Sequence, residues 1–484
     1  MFDRVIANGT LITAEATVQA DLGLRDGRIA AIGRRLAGLE VIDASGMLVL
    51  PGAIDEHVHL HMPVGELTSS DDFYSGTVAA ACGGTTTVID FAEPKPGQPL
   101  VEALASRRAE ADGRVVIDYG LHMTLAWADD ETLAQVPACI EAGVASFKLY
   151  MAYEGLRLDD GGLLRALAAL RAHGGRALVH AENHDAITYL VTQALAQGRI
   201  GPENHPLTRP DWMEAEAVGR LLALARVTGT PLVLAHLSCA LGLEEVRRAR
   251  ARGQTVWVET CPQYLLLDEA EYRRPGFEGA KFVMSPPLRT AADRQALWAG
   301  LAAGEVNTVA TDHCPFFYET QKTRGLHNFS RIPGGAPGIE TRLALLYSHG
   351  VRTGRLSPER WVEVCCTEPA RRFGLAPRKG TLAIGADADV VIFDPERRVT
   401  LSPQTLHQRV DYCPYEGEEL QGWPVTVLSR GEVVVRDGEF IGTAGRGRFL
   451  PTEADRWRGS RLRSWGPEVS AAITAACWPT AATM

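Results

Sequence analysis

The 484-residue sequence contains no run of 18 consecutive apolar residues, which leaves no membrane-spanning helix to predict. It has no dense Lys/Arg block either. Its 49 basic residues against 59 acidic ones give a formal charge of -10, which argues against a nucleic-acid or anionic-membrane partner. The opening Met-Phe-Asp-Arg-Val-Ile-Ala-Asn-Gly lacks the basic-then-apolar layout of a secretory signal, so a cytoplasmic location is expected. No Cys-x-x-Cys pair occurs among nine cysteines, and their odd number and the Cys365-Cys366 doublet favour reduced thiols over a disulfide framework. What is present is a chain 46% hydrophobic, ample for a large core and suited to a small-molecule partner.

The first fifty residues read as short β runs with turn signals at Asn8-Gly9 and Asp26-Gly27, and the same texture returns at residues 380 to 440. Both ends therefore read as parts of one β domain. Between them, β-branched runs alternate with Ala/Leu/Arg-rich helical stretches. Eight strand candidates can be counted: Ala53 to His59, Thr85 to Phe91, Val115 to Leu121, Ser146 to Met151, Ala177 to Ala181, Pro231 to His236, Thr255 to Thr260 and Thr308 to Asp312. That alternation predicts a closed parallel (β/α)8 barrel, with its active site at the C-terminal strand ends.

Polar residues interrupt these apolar runs at that end: His57 and His59, Lys148, His180, His236 and Asp312. In a strand, residues i and i+2 share a face, so His57 and His59 can grip one metal ion. Each residue alone has a structural explanation, as a satisfied histidine, a snorkelling lysine or a helix cap. Five strands each delivering such a group to one mouth point instead to a metal site. Four imidazoles and one aspartate carry little negative charge for two divalent cations, and a protonated lysine would be repelled by them. Carbamylation of Lys148 by carbon dioxide would turn the amine into an anionic bridging ligand.

With these motifs the sequence resembles the cyclic amidohydrolases of dihydropyrimidinase and D-hydantoinase type, within the amidohydrolase superfamily. The resemblance rests on Pro-Gly-Ala-Ile-Asp-Glu-His-Val-His (51 to 59), Gly-Gly-Thr-Thr-Thr-Val-Ile-Asp-Phe (83 to 91), Ser-Phe-Lys-Leu-Tyr-Met-Ala-Tyr (146 to 153), His-Ala-Glu-Asn (180 to 183) and Ala-Thr-Asp-His-Cys-Pro-Phe (310 to 316). It continues through Ser-Pro-Pro-Leu-Arg (285 to 289), Pro-Gly-Ile-Glu (337 to 340) and Gly-Ala-Asp-Ala-Asp-Val-Val (385 to 391).

The resemblance implies a barrel over 51–375 flanked by a β-sandwich built from 1–50 and 376–450. It leaves a tail, 451–484, unexplained. It implies two divalent metal ions, zinc by preference with manganese, cobalt or nickel as substitutes. His57, His59 and Asp312 would hold the first ion, His180 and His236 the second, and carbamylated Lys148 (N6-carboxylysine) would bridge them together with a hydroxide. Asp312 would then act as general base and acid, and Tyr153 would donate a hydrogen bond to the developing oxyanion. Ser285 and Gly334 would meet the ring through their main chains. The implied partner is a cyclic amide opened to an N-carbamoyl amino acid, and the implied assembly is a homotetramer or homodimer.

Two departures stand out. Gly334, in Ile-Pro-Gly-Gly, replaces the usual asparagine, and His61 stands where aspartate is common. His61 fits either an orienter of the metal ligands or a solvated loop residue. Met62, Val64, Tyr74, Leu156 and Leu158 are possible pocket lining, and Cys314 reads as an inert buried thiol. Allantoinase, dihydroorotase or imidase activity on a related ring remains the alternative function. A non-catalytic scaffold relative is a further one, disfavoured by six intact ligand positions. Dihydroorotase is disfavoured because the Met-Pro-Val-Gly-Glu run after His61 offers no cation for a substrate carboxylate.

Overall fold

A computed structural model describes residues 1–455, so nearly all of the 451–484 tail lies outside the described residues. Eight strands pair in parallel in one sheet, in chain order: Ala53–Asp55 (β1), Thr85–Ala92 (β2), Asp118–Thr124 (β3), Ser146–Tyr150 (β4), Arg176–His180 (β5), Leu232–Leu234 (β6), Val256–Thr260 (β7) and Thr308–Val309 (β8). All eight are buried at every residue but one or none, as expected of strands covered on both faces.

The ends of this sheet meet beyond the last residues of β1 and β8, through a parallel bridge between Val58 and His313. Two polar side chains close the seam beneath it. Asp55 accepts the Thr311 N–H at 3.1 Å and its hydroxyl at 2.6 Å. The buried Arg342 guanidinium donates to the carbonyls of Ile54 at 2.8 Å and Val309 at 2.7 Å. Side-chain hydrogen bonds thus replace the backbone ladder at this point. That is why β1 stops at Asp55 and β8 at Val309, short of the expected His59 and Asp312. The strand expected at Val115 to Leu121 is displaced to Asp118–Thr124, because the Val115 carbonyl is taken by the N–H groups of Gly445 and Gly447, each at 3.1 Å.

Helices cover the barrel with an apolar stripe. In Asp160–His173 the buried residues are Leu163, Ala166, Leu167 and Leu170, the i, i+3, i+4, i+7 pattern of one face. Each buried leucine contributes roughly 1.5–3 kcal/mol. Asp159 caps the helix start by accepting the Gly162 N–H, and Gly174 ends it at φ 75°, where a Cβ would be strained.

The two chain ends build a second, mostly antiparallel sheet of nine strands. Leu48–Pro51 joins them, lying parallel to Phe2–Ile12 and antiparallel to Val390–Thr400. Asp26-Gly27 makes the expected hairpin turn, with φ of 52° and 70°. Asn8-Gly9 does not. It is a bulge inside Phe2–Ile12, with Asn8 at φ 65° and its N–H on Asp21, where any Cβ on Gly9 would strike Val49. No helix among the described residues is long and apolar enough to cross a membrane.

Candidate metal centre

Four imidazoles meet at the C-terminal end of the barrel. Their ring centroids follow one another at 5.2 Å (His59 to His57), 5.3 Å (His57 to His236) and 4.7 Å (His236 to His180). Ligand atoms of His57, His59 and Asp312 lie within 4.8 Å of one another. Lys148, the middle residue of β4, reaches the same point, its Nζ 3.2 Å from His57 Nε2. All six residues expected at the mouth are therefore brought together, although His57, His59, His236 and Asp312 stand beyond the regular strands rather than within them. His236 and Asp312 adopt φ of 34° and 52°, and Tyr153 a φ of 76°. A non-glycine residue in that region costs of order 1–3 kcal/mol, strain that clusters at functional sites.

The way the rings are held supports a cation site. Glu259 Oε1 accepts the His236 backbone N–H at 3.0 Å and lies 2.7 Å from His57 Nδ1, while burial and the neighbouring Glu56 raise its carboxyl well above the usual range. That contact fixes the orientation of the His57 ring. Its Nε2 faces Lys148 Nζ at 3.2 Å and Asp312 Oδ1 at 3.4 Å. His180 repeats the pattern: Nε2 faces Glu182 at 2.8 Å, Glu182 is anchored by Arg209 at 2.5 Å, and Nδ1 is turned to His236 Nε2 at 3.0 Å. Carboxylates that fix the far nitrogen of an imidazole are how proteins orient metal-ligating histidines.

Charges agree. Burial holds His57, His180 and His236 below the ordinary histidine value, and for His57 and His236 the neighbouring Lys148 and imidazoles push the same way. They are neutral donors. Burial would raise the Asp312 carboxyl, but the His59 hydrogen bond and the neighbouring imidazoles and Lys148 leave it lowered, hence ionised. Imidazole nitrogen with carboxylate oxygen is a donor set for zinc-like divalent ions.

The centre opens into a cavity of about 570 Å³. Tyr153, Ser285 and Gly334 all line it, as expected. Burial raises the Tyr153 phenol, against the Arg209 charge and a hydrogen bond with Ser285, so it stays a proton donor. Gly334 has only Ser285 Oγ, at 3.8 Å, near the direction a side chain would take. Met62, Val64 and Leu156 line the cavity, whereas Leu158 is buried in the core and Tyr74 is exposed on the first turn of its helix. His61 is exposed and 3.7 Å from Glu110, away from the ligands. Cys314 is a buried free thiol that burial pushes well up, which keeps it protonated.

Three carboxylates escaped the reading of the sequence. Glu182 was legible, since it follows His180 by two residues. Glu259 sits at the C-terminal end of an apolar strand, the criterion that found the other site residues. Glu93, also in the cavity wall, carries no sequence signal of its own.

A profile of the Amidohydrolase family matches residues 48–434. The chain belongs to that family. It is 47% identical over 451 residues to a D-hydantoinase of Geobacillus stearothermophilus, covering 92% of this chain and 96% of that one. Among solved structures, a D-hydantoinase from Bacillus sp. AR9 superposes with a TM-score of 0.92 at 46% identity, covering 94% of this chain and all of that one. A dihydropyrimidinase from Brevibacillus agri gives 0.93 at 43%, covering 95% of this chain and all of the other. Amidohydrolase membership and the His57–His59–Asp312 cluster together indicate a divalent-metal site.

Proposed function

We propose that this amidohydrolase opens the cyclic amide bond of a hydantoin, dihydropyrimidine or related ureide ring, giving an N-carbamoyl amino acid. The observation that carries the reading is the convergence of four imidazoles, the Asp312 carboxylate and the Lys148 amine at one point of the cavity.

In this reading His57, His59 and Asp312 hold one divalent ion and His180 and His236 a second, zinc being the ion that suits these donors best. Lys148, as its carbamate, would supply a further anionic oxygen ligand. Its amine has no carboxylate within ion-pair distance among the described residues, and burial lowers its pKa against the pull of Glu259 and Asp312. A neutral amine can attack carbon dioxide and release a proton. Bound metal ions would supply an activated water and polarise the substrate carbonyl.

The remaining work falls to side chains. Asp312, partly open to the cavity, takes the proton of the attacking water and returns it to the leaving ring nitrogen. The Tyr153 hydroxyl donates to the carbonyl oxygen as charge develops on it, in a pocket where a hydrogen bond is strong. Ser285 and Gly334 offer main-chain groups to the ring edge.

The test is a hydrolysis panel of dihydrouracil, hydantoin, 5-phenylhydantoin, allantoin, dihydroorotate and succinimide on metal-assayed protein. Turnover of dihydrouracil or the hydantoins, with close to two metal ions per chain, is expected. Failure to open any of those three rings would sink the proposal, and preference for allantoin, dihydroorotate or succinimide would move it to a sister activity.

A further inference from the structure

Glu93 immediately follows β2 and lines the same cavity as His59 and Lys148, yet none of the steps above uses it. Phe91, two residues earlier, stacks on the His59 ring at a centroid distance of 4.5 Å. Alternation puts Glu93 on the same face as Phe91, and two residues of extended chain place it roughly 7 Å further toward the mouth. It therefore stands further toward the open end of the cavity than the His59 ring.

The other carboxylates of the cavity are engaged. Asp312 faces His57 and His59, and the largely exposed Glu154 lies 3.4 Å from His184. Glu93 has no hydrogen bond and no ion pair within 4 Å among the described residues. Arg209, a cation of the cavity wall, is already held by Glu182. The same cavity is also lined by Met62, Val64 and Leu67, contributed by one loop. An unpaired acid in a cavity that also carries apolar lining is complementary to an alkyl chain that ends in a cation.

We propose that Glu93 is a specificity residue that pairs with a cationic group on the exocyclic substituent, so that the enzyme favours rings carrying an aminoalkyl side chain. This rests on the cyclic-ureide reading above. Burial raises the Glu93 carboxyl, with His59, Arg107 and Lys148 opposing and Asp90 adding to the rise. A part-buried acid without a partner gains from an incoming ammonium.

The experiment compares kcat/KM for three hydantoins substituted at C5 with 4-aminobutyl, pentyl and 3-carboxypropyl groups, alongside hydantoin itself, in wild type, Glu93→Gln and Glu93→Lys. Wild type should favour aminobutyl over pentyl by about tenfold, mainly through KM. Glu93→Gln should bring that ratio near one, and Glu93→Lys should invert it toward the carboxypropyl ring. A wild-type ratio near one, or a ratio unmoved in Glu93→Gln, overturns the proposal. So does a wild-type preference for carboxypropyl, which would give the selection to the exposed Arg331 at the rim. Metal content is measured in each variant, and a loss of metal in Glu93→Gln in step with activity would make Glu93 a ligand instead. If wild type leaves hydantoin itself closed as well, it is the ring-opening reading that fails.

Discussion

Two buried lysines, at opposite ends of the barrel, show what the same side chain becomes in different company. Lys379 lies at the N-terminal end, its Nζ 2.7 Å from Asp118, 3.1 Å from Asp387 and 2.6 Å from Asp389. Burial alone would lower its pKa, but the three carboxylates raise it above the ordinary lysine value. It is a permanent cation that ties β3 to the Gly-Ala-Asp-Ala-Asp segment leading into the second sheet. Lys148 is equally buried, faces an imidazole and two aromatic rings, and is lowered instead. One lysine is a structural charge, and the other is held closer to a reactive amine.

Removing each lysine tests that contrast most directly. Lys148→Ala should cost several kcal/mol of transition-state stabilisation, roughly 10³-fold or more in kcat, with loss of metal. Short carboxylates should restore part of it by replacing the carbamate, and full activity in the untreated variant would remove Lys148 from the centre.

Asp312→Asn keeps an oxygen donor but cannot accept the proton. Turnover should fall about 10²–10⁴-fold with most of the metal retained, as kinetics and metal analysis of one preparation would show. Normal turnover would mean that another base acts.

Lys379→Met should leave the activity of the folded enzyme intact but cost about 3–5 kcal/mol in urea denaturation, because three aspartates lose their counter-charge. The loss should depend on pH with a definite sign. A raised lysine stabilises the fold below its ordinary value, and that contribution disappears as pH climbs through the raised one. Asp387 is lowered by Lys379 and Arg378 against burial, so its contribution is present above the ordinary carboxylate value and is lost as pH falls. The gap between wild type and variant should be widest between about pH 4 and pH 10. A pH-independent gap would mean that packing, not charge, is what Lys379 supplies.

Glu259→Gln is the mildest change. It preserves the shape and one acceptor but weakens the hold on His57 Nδ1, and a chelator competition should report a 10- to 100-fold loss of metal affinity. Unchanged affinity would show that the ring is positioned by packing alone.

The barrel was legible because its strands, buried on both faces, read as uninterrupted β-branched runs ending in chemistry-bearing residues. Their ends were less so. Where β1 meets β8, Asp55, Thr311 and Arg342 do the work of a backbone ladder, and three residues separated so widely in the chain have no shared local pattern. Asn8-Gly9 misled for a related reason, since the same pair serves a hairpin or a bulge according to whether a neighbouring strand presses on the glycine. All nine residues singled out for the site came together there. Glu182 and Glu259 were overlooked because their task is to orient other side chains rather than to face the cavity.

The barrel seam also imposes an order in time. Asp55 and Thr311 are 256 residues apart, and His57 and Asp312 sit just beyond them. At a synthesis rate of about 5–20 residues per second, the first two histidines exist for roughly 10–50 s before their aspartate partner is made. The donor set is therefore complete only once Arg342 has drawn the first and last strands together, so a nascent chain or a truncated fragment has no finished centre to load. A metal ion held by His57, His59 and Asp312 together would bind only after the first and last strands have met.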